Sequence, residues 1–298
     1  MRYFCTLVRE GNFGRAASRL GISQPPLTRA IQKLERDLDT VLINRRHKAF
    51  SITPAGNTLY ERSVQLLDGA DQAWADVRRA GAGEMGRLVL GFVHSTAFTI
   101  LPGITARFRA TYPDVRFILR EMHHTDLLAA LESGSVDAGL LCPPINSRTL
   151  VVKPLIHEPF LVLVPAAHPL AGARSVSLRR LEHEPFVLFS RSGTPLIHSR
   201  VVAMCQAAGF TPEPIQFADQ IQTVAGFVAA GMGVGIAPST VRSFNFPRLR
   251  LLRIEEKVAP LPMAMSFRQD NASALLRNFG RLARRVAIDW QAGQRAAA

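Results

Sequence analysis

The sequence contains few cysteines and no long hydrophobic run. Its three cysteines, Cys5, Cys142 and Cys205, form no Cys-x-x-Cys pair. This argues against a disulfide framework and a four-thiolate zinc site, and it fits a reducing cytosol. No run of about 18 apolar residues occurs, and arginines interrupt the first twenty residues. We therefore expect neither a membrane span nor a signal peptide.

Acidic residues are scarce relative to basic ones. The 298 residues include 36 lysines and arginines against 23 aspartates and glutamates, a formal net charge of +13. Such a balance favours anionic partners such as nucleic acid. Only four of the basic residues are lysines, so the arginine excess could also reflect codon bias. The distribution of the charge along the chain distinguishes nucleic-acid binding from codon bias.

The charge divides the chain into three segments. Residues 1–54 carry ten basic and four acidic side chains, residues 55–85 carry three and five, and residues 86–298 carry 23 and 14. A chain of this length also favours more than one domain. We predict a basic head at 1–54, a linker at 55–85 and a larger domain at 86–298.

Apolar spacing predicts three short helices in the head. Asn12 can cap the second helix, which ends near Gly21. Ser23 can cap the third, and Pro25 and Pro26 fit its first turn, where a missing N–H costs nothing. The third helix carries an apolar stripe at i, i+4, i+7 and i+11, formed by Leu27, Ile31, Leu34 and Leu38. Residues 50–53 alternate briefly, as a small strand or wing would.

A long helix should follow, because residues 56–82 contain no proline. Six positions have coiled-coil spacing: Leu59, Ser63, Leu66, Ala70, Ala73 and Val77. The stripe is weak, since one member is polar and two are alanines. A partner helix within the chain is one alternative, but a second copy is favoured because no other long helix is evident. Gly81, Gly83 and Gly86 should end the helix and form a hinge.

Short apolar strands alternate with helices from Arg87 onward. The predicted strands lie at 88–93, 115–121, 136–141, 159–164, 185–189, near 215 and at 233–238. This alternation predicts parallel α/β sheets arranged in two lobes, with a return helix near 274–286 and a frayed tail from residue 291.

Residues 14–29, GRAASRLGISQPPLTR, resemble the helix-turn-helix of the LysR-type transcriptional regulators. The resemblance extends over essentially the whole chain and is highly specific at 2–45 and at SITPAG, 51–56. VAAGMGVGIAP at 228–238 is typical but less specific. Two departures are a start a few residues later than is usual, which implies a slightly trimmed first helix, and Asn44 where glutamate is frequent.

The resemblance implies an α/β multidomain protein. Its expected parts are an N-terminal winged helix-turn-helix, a dimerising linker helix and a two-lobed effector domain like a type II periplasmic binding protein. The implied function is a non-catalytic, DNA-binding transcriptional regulator that responds to a small anionic effector. The implied partners are promoter DNA with inverted repeats, the effector, RNA polymerase and further copies in a homotetramer. We expect no other cofactor and a cytoplasmic location.

The third helix should carry the DNA contacts, because a recognition helix enters the major groove by its N-terminal end. Glutamine suits adenine, arginine suits guanine and threonine can touch a thymine methyl, while amides near Ser23 can hold phosphate. The wing residues would meet phosphates or the minor groove. The candidates are Ser23, Gln24, Pro25, Thr28, Arg29, Gln32, Arg45, Arg46 and Lys48. The competing interpretation is a solvated charged face.

The effector should bind beyond the carboxyl ends of the strands, between the lobes. Hydroxyls and free amides at helix starts favour a carboxylate or a similar anion. The candidates are Ser95, Thr96, Thr125, Cys142, Ser190, Ser192, Gly193, Thr194 and Gln222. Most of them are also ordinary capping residues, and Cys142 is more often a packing residue than a redox thiol.

Other chemistry has little support in the sequence. His123 and His124 would point to opposite faces of a strand, so a metal site is not expected. The glycine-rich GMGVG at 231–235 precedes a strand rather than following one, which weakens a nucleotide-binding interpretation. An enzyme is disfavoured because no nucleophile motif is visible. A solute-binding protein is disfavoured by the basic head and the missing secretion signal.

Overall fold

The computed structural model describes residues 1–44 and 50–296, with the side chains of residues 294–296 left aside. The chain divides into two units, Met1–Gly81 and Ala82–Ala298. Within the described residues, no helix combines the length and apolarity needed to cross a bilayer.

The first unit is a helical head followed by a long helix. Its elements are α1 (Arg2–Glu10), α2 (Phe13–Arg19), α3 (Gln24–Asp37), β1 (Ile43–Asn44), β2 (Ser51–Ile52) and α4 (Pro54–Gly81). Strands β1 and β2 pair antiparallel. The three predicted short helices, the brief strand after them and the long helix are therefore confirmed.

The head packs around one apolar core. Its buried members are Phe4, Leu7, Ala16, Ala17, Leu27, Ile31, Leu42 and Ile43. Burying each of the larger side chains stabilises the fold by about 1.5–3 kcal/mol. The predicted stripe of α3 is wrong at Leu38, which is 46% exposed. Because α3 ends at Asp37, Leu38 lies past the last helical turn.

The expected side-chain cap of α3 is absent. Ser23 occupies the N-cap position with extended backbone, but its hydroxyl makes no capping bond. A capping oxygen accepts from the N–H of the second or third helical residue. In α3 these residues are Pro25 and Pro26, which have no N–H. By contrast, Asn12 caps α2 as predicted, accepting from the Arg15 N–H at 3.0 Å.

The second unit alternates strands and helices. In chain order it contains β3 (Gly86–Phe92), η1 (His94–Phe98), α5 (Leu101–Thr111), β4 (Val115–Glu121), α6 (His124–Ser133), β5 (Ala138–Leu141), β6 (Leu150–Glu158), β7 (Phe160–Pro165), β8 (Ser175–Val176), η2 (Leu178–Leu181), β9 (Pro185–Phe189), α7 (Pro195–Ala207), β10 (Glu213–Ala218), α8 (Ile221–Ala229), β11 (Gly235–Pro238), η3 (Ser239–Ser243), β12 (Leu249–Ile254), β13 (Leu261–Arg268) and α9 (Ala274–Ala296).

These elements form two lobes around separate sheets. The first lobe has a five-stranded sheet in the order β4-β3-β5-β13-β6. The second lobe has a four-stranded sheet in the order β11-β7-β12-β8, and β9 pairs with β10. The chain passes from the first lobe to the second between β6 and β7 and returns between β12 and β13. The predicted two-lobed α/β domain is thus confirmed.

The prediction of parallel sheets is correct only in part. Strand β3 is parallel to β4 and β5, but β13 is antiparallel to β5 and β6, and β7 is antiparallel to β11 and β12. The sequence analysis missed β6, β12 and β13 because they are not plain apolar runs. Edge strand β6 contains Lys153 and Pro154, and proline is tolerated at a sheet edge.

The C-terminal helix and the glycine segment also differ from expectation. Helix α9 continues through residues 291–296, where a frayed tail was expected, because glutamine, alanine and arginine favour helix. Gly83 is not a free hinge: it is buried with φ 72°, and a Cβ there would meet the backbone of Leu275. The Asn278 side-chain amide donates to the carbonyls of Ala82 and Gly83 at 2.9 and 3.1 Å.

Candidate DNA-binding surface and effector cleft

Helix α3 has one buried face and one polar face. Leu27 and Ile31 are buried in the head. The opposite face exposes Gln24, Pro25, Arg29 and Gln32, with Ser23 exposed just before it. The missing cap bond leaves the Ser23 hydroxyl without a partner among the described residues. Thr28 is half-buried, and its hydroxyl donates to the Gln24 carbonyl at 3.1 Å.

Neighbouring basic residues are held more firmly than Arg29. Arg19 pairs with Glu10 at 2.7 Å, and the Arg15 guanidinium donates to the Glu10 carbonyl. Arg29 makes no hydrogen bond or ion pair with any described side chain or backbone group of the chain, which leaves its guanidinium available. The candidates Arg45, Arg46 and Lys48 lie outside the described residues.

The end of α3 is tied to the strand pair. The Glu35 carboxylate accepts from the backbone N–H groups of Leu42 and Ile43 at 2.9 and 3.2 Å. Because Ile43 begins β1 and is buried, this carboxylate fixes the start of the strand pair relative to the helix. Sequence reasoning did not identify this role, since the two partners are seven and eight residues apart.

On the first lobe, predicted hydroxyls differ in their availability. Thr125 is exposed at the start of α6, and Ser95 is half-buried in η1. Thr96 is fully buried, and its hydroxyl donates to the Val93 carbonyl at 2.7 Å. In this structure the Thr96 hydroxyl closes the turn after β3, and its contact with a ligand stays a prediction.

The two adjacent histidines lie at a helix start rather than on a strand. His123 is the N-cap residue of α6 and His124 its first residue, which corrects the strand assignment. Burial lowers the pKa of His124. In the portions of the chain described, no three histidine, cysteine or acidic side chains group as metal ligands.

On the second lobe, the predicted loop Ser190–Thr194 folds around a carboxylate. The Ser190 hydroxyl donates to Asp219 and accepts from the Gly193 N–H at 2.9 Å. Its oxygen lies 3.3 Å from the Ser192 hydroxyl, and the Thr194 hydroxyl lies 3.5 Å from the Ser190 carbonyl. The sequence analysis missed Asp219, although it stands directly after β10.

A histidine of α7 orients the arginine of this loop. His198 is buried in α7, with Nδ1 2.6 Å from the Phe189 carbonyl. Its Nε2 accepts from the Arg191 Nε–H at 3.1 Å. The guanidinium of the exposed Arg191 is thereby held at the start of the loop.

Cys142 is a packing residue in this structure. It is 8% exposed and belongs to the apolar core cluster of the second lobe. Burial, with a smaller effect from Glu158, raises the pKa of its thiol to about 12. A protonated, enclosed thiol contributes packing rather than reactivity, and a ligand contact at Cys142 stays a prediction.

Among the described residues, polar and aromatic side chains connect the lobes. The Gln222 side-chain nitrogen, on α8, lies 3.0 Å from His94 Nε2, on η1. His94 Nδ1 lies 2.6 Å from the Glu121 carboxylate at the end of β4. Beside them, the Phe98 and Phe244 rings are 4.8 Å apart, and the Ser243 hydroxyl donates to the Phe98 carbonyl at 3.0 Å.

Gln222 was predicted to contact a ligand, but its partners across the lobes were not identified. His94 and Phe98 flank the predicted Ser95 and Thr96, and Glu121 ends a predicted strand. Their positions at strand ends were a usable signal. Hydroxyls and amides at these positions were predicted to bind a ligand, whereas the charged and aromatic side chains there were not.

A buried carboxyl lies where the chain crosses between lobes. Glu158, the last residue of β6, is 1% exposed. Its Oε2 accepts from the Thr240 N–H at 3.2 Å and from the Thr240 hydroxyl. Burial raises the pKa of Glu158 to about 7, against the lowering effect of these hydrogen bonds. Its Oε1 has no partner among the described groups.

Known proteins resemble the chain over nearly its full length. The E. coli (strain K12) protein YnfL, described as an uncharacterized HTH-type transcriptional regulator, is 34% identical over 281 residues, 94% of this chain and 95% of YnfL. The crystal structure of CbnR, a LysR family transcriptional regulator, has a TM-score of 0.86 at 25% identity and covers 95% of this chain and 98% of that one.

A third likeness concerns the effector domain. The structure of the BenM effector binding domain with its effector benzoate has a TM-score of 0.63 at 26% identity. It covers 67% of this chain and 91% of that domain. BenM is a transcriptional regulator of Acinetobacter baylyi.

Two family models match consecutive parts of the chain. Residues 1–57 match the family described as "Bacterial regulatory helix-turn-helix protein, lysR family". Residues 81–287 match the "LysR substrate binding domain". The chain therefore belongs to the LysR family of DNA-binding transcriptional regulators, with an N-terminal helix-turn-helix and a C-terminal effector-binding domain.

Proposed function

We propose that this regulator reads promoter DNA through the exposed face of α3 and that its target contains an inverted repeat. The observation that carries the proposal is the division of α3 into a buried apolar face and an exposed polar face near its N-terminal end. Gln24, Arg29 and Gln32 can hydrogen-bond base edges. The free Ser23 hydroxyl can reach a phosphate beside the helix start. Arg45, Arg46 and Lys48 remain wing candidates from the sequence.

Substitution of Arg29 tests this proposal. Arg29→Ala should cost about 1–3 kcal/mol of operator affinity and blunt the preference at one base position, because an arginine pairs with a guanine through two hydrogen bonds. The measurement is binding of the full-length protein to its promoter fragment and to single-base variants of it. Arg36→Ala, in the last turn of the same helix, is the matched control and should leave base preference unchanged. Equal base preference in wild type and Arg29→Ala would contradict the assignment.

We further propose that the effector is a small carboxylate or similar anion bound between the lobes. Helix α6 follows β4 and begins with the exposed Thr125 in its first turn and without a side-chain cap, and free amides at a helix start favour anions. Ser95, which follows β3, and the loop Ser190–Thr194, which follows β9, are the other polar groups that we assign to this site. The likeness to the benzoate-bound BenM domain supports an acidic ligand.

Self-association is proposed on the basis of exposed apolar side chains. On α4, Leu66, Trp74 and Val77 are 59%, 68% and 68% exposed. On strand β10, Ile215 and Phe217 are 50% and 47% exposed. Two separate apolar surfaces suit a dimer of dimers, one through the linker helix and one through the effector domain.

The proposed signal is a change in the tetramer when effector closes the lobes. Such a change would alter the spacing of the DNA-binding heads, the bend of the promoter and the access of RNA polymerase. Footprints and bend angles measured with and without effector test it, and identical values would overturn it. We propose no enzymatic activity and no cofactor beyond the effector, since the proposed task requires only binding. The protein would work in the cytoplasm, where the promoter is.

A further inference from the structure

The nitrogen and the oxygen of the Gln222 side-chain amide differ in their hydrogen bonding. The nitrogen lies 3.0 Å from His94 Nε2 across the lobes. The oxygen, Oε1, is buried and has no hydrogen-bond partner among the described residues. Because both atoms are bonded to one carbon, about 2.2 Å apart, the unpartnered oxygen lies beside the contact that joins the lobes.

Glu121 determines which end of the amide faces His94. The Glu121 carboxylate can only accept, so His94 Nδ1, 2.6 Å away, must carry a proton. The Gln222 amide nitrogen can only donate, so His94 Nε2, 3.0 Å from it, is the acceptor of this contact. The chain Glu121–His94–Gln222 thus fixes the amide orientation and turns Oε1 away from His94.

No described donor reaches this oxygen. The N–H of the next residue, Thr223, donates instead to the Gln220 carbonyl at 3.1 Å. The Phe98 ring packs edge-on near His94, with 5.2 Å between the ring centroids, and offers no donor. A buried acceptor without a donor is uncommon and destabilising in folded proteins, so this atom is suited to a donor brought by a ligand.

We propose that the effector carries an O–H or N–H donor in addition to its acidic group and that this donor bonds Gln222 Oε1. The ligand class is then hydroxy acids or amino acids rather than simple carboxylates. This inference rests on the proposed binding of an acidic effector between the lobes. It makes Glu121 and His94 positioning residues, which act on the ligand through Gln222.

The probes are acids in triplets that differ by one group. Suitable triplets are propanoate, lactate and alanine; succinate, malate and aspartate; and benzoate, salicylate and anthranilate. Binding to the full-length protein is measured by calorimetry. For the triplet that fits the cleft, the hydroxyl or amino member should bind about tenfold or more tightly than the member without it, because the unsubstituted acid leaves Oε1 unpaired.

Variants separate the proposed hydrogen bond from general damage. Gln222→Leu removes the acceptor and should bring the affinity ratio within a triplet close to one. His94→Phe should reduce the preference without removing Oε1, since the amide is then free to turn over. Gln206→Leu, at an exposed position of α7, is the control and should match the wild type.

The outcomes distinguish this inference from the proposed function. If simple carboxylates bind as tightly as their hydroxy and amino counterparts and still alter operator binding, the donor inference is wrong and the acidic effector stands. If no member of any triplet binds, the acidic effector itself fails, and this inference fails with it. An unchanged triplet ratio in Gln222→Leu also overturns the donor inference.

Discussion

The Glu158 carboxyl combines deep burial with incomplete hydrogen bonding. Thr240 satisfies one oxygen, and the other has no partner among the described groups. Burial disfavours the charged form, so the pKa of Glu158 rises from 4.5 to about 7. The folded protein therefore binds a proton at Glu158 at pH values where the unfolded chain has lost it.

This shift predicts a stability that falls as the pH rises. The contribution of Glu158 is fully present below its unfolded pKa and is lost between about pH 4.5 and 7, amounting to roughly 3 kcal/mol. Glu158→Gln stays neutral and should lose this dependence. Its free energy of unfolding should therefore rise relative to that of the wild type when the pH is raised from 5 to 8. Urea denaturation at the two pH values measures the difference. Glu213→Gln, at an exposed position, should show no such gain, and an equal gap at both pH values for Glu158→Gln would refute the prediction.

The residues that stand at the strand ends could be predicted from the sequence, but whether their side chains are free to bind a ligand could not. Side chains at strand ends, such as Ser95, Thr125 and Gln222, could be named from the sequence because the alternation of strands and helices locates those ends. Whether a hydroxyl is free depends on tertiary neighbours that the sequence does not display. Thr96 is occupied by Val93 within its own turn, and Ser190 is occupied by Asp219, 29 residues away.

At the scale of elements, helix α4 exposes large apolar side chains that another helix could cover. Leu66 and Val77 occupy predicted coiled-coil positions and are more than half exposed. Ser63, on the same predicted stripe, is fully buried, and its hydroxyl is unpartnered among the described groups. The members of the predicted stripe thus do not share one environment, and its role as a dimer seam stays a prediction.

Charge on that stripe should weaken the proposed dimer. Leu66→Asp would bury an unpaired carboxylate in each half of a symmetric seam, so the dimer dissociation constant should rise at least about a hundredfold. Sedimentation equilibrium of the full-length protein measures the constant. Gln65→Asp, next to it but off the stripe, is the matched control. A dimer as stable in Leu66→Asp as in the control would mean that α4 does not form the seam.

Elements were predictable where one pattern dominated. The helices of the head follow a clear helical periodicity, and the buried strands β3 and β7 are nearly continuous apolar runs. Strands β6, β12 and β13 were missed because charged residues or proline break their apolar runs, as Arg250 and Arg253 do in β12. Strand β6 leads into the first crossing between the lobes, and β12 and β13 lie on either side of the second. Because these three strands were missed, their antiparallel pairings could not be predicted.

At the scale of the whole effector domain, the lobes are connected by an aromatic pair as well as by the Gln222 contact. Phe98→Ala removes the ring that lies 4.8 Å from Phe244. Such pairs contribute about 0.5–1.5 kcal/mol, so amide exchange at residues 239–244 should become several-fold faster while the melting temperature changes little. Hydrogen–deuterium exchange of the full-length protein measures this.

Tyr112→Ala is the control: it removes the 5.1 Å pair with Phe108 inside the first lobe and should leave exchange at 239–244 unchanged. Equal exchange in wild type and Phe98→Ala would rule out a role for this pair in holding the lobes.

The path of the chain between lobes has an evolutionary consequence. Glu158 stands opposite Leu261 in the antiparallel pairing of β6 and β13, so the intervening segment departs and comes back at points about 5 Å apart. The second lobe is in effect a cassette inserted between two neighbouring strands. Recombination at these two points could exchange half of the proposed ligand site in one event while keeping the rest of the regulator, which offers a route to new effectors and to chimeric biosensors.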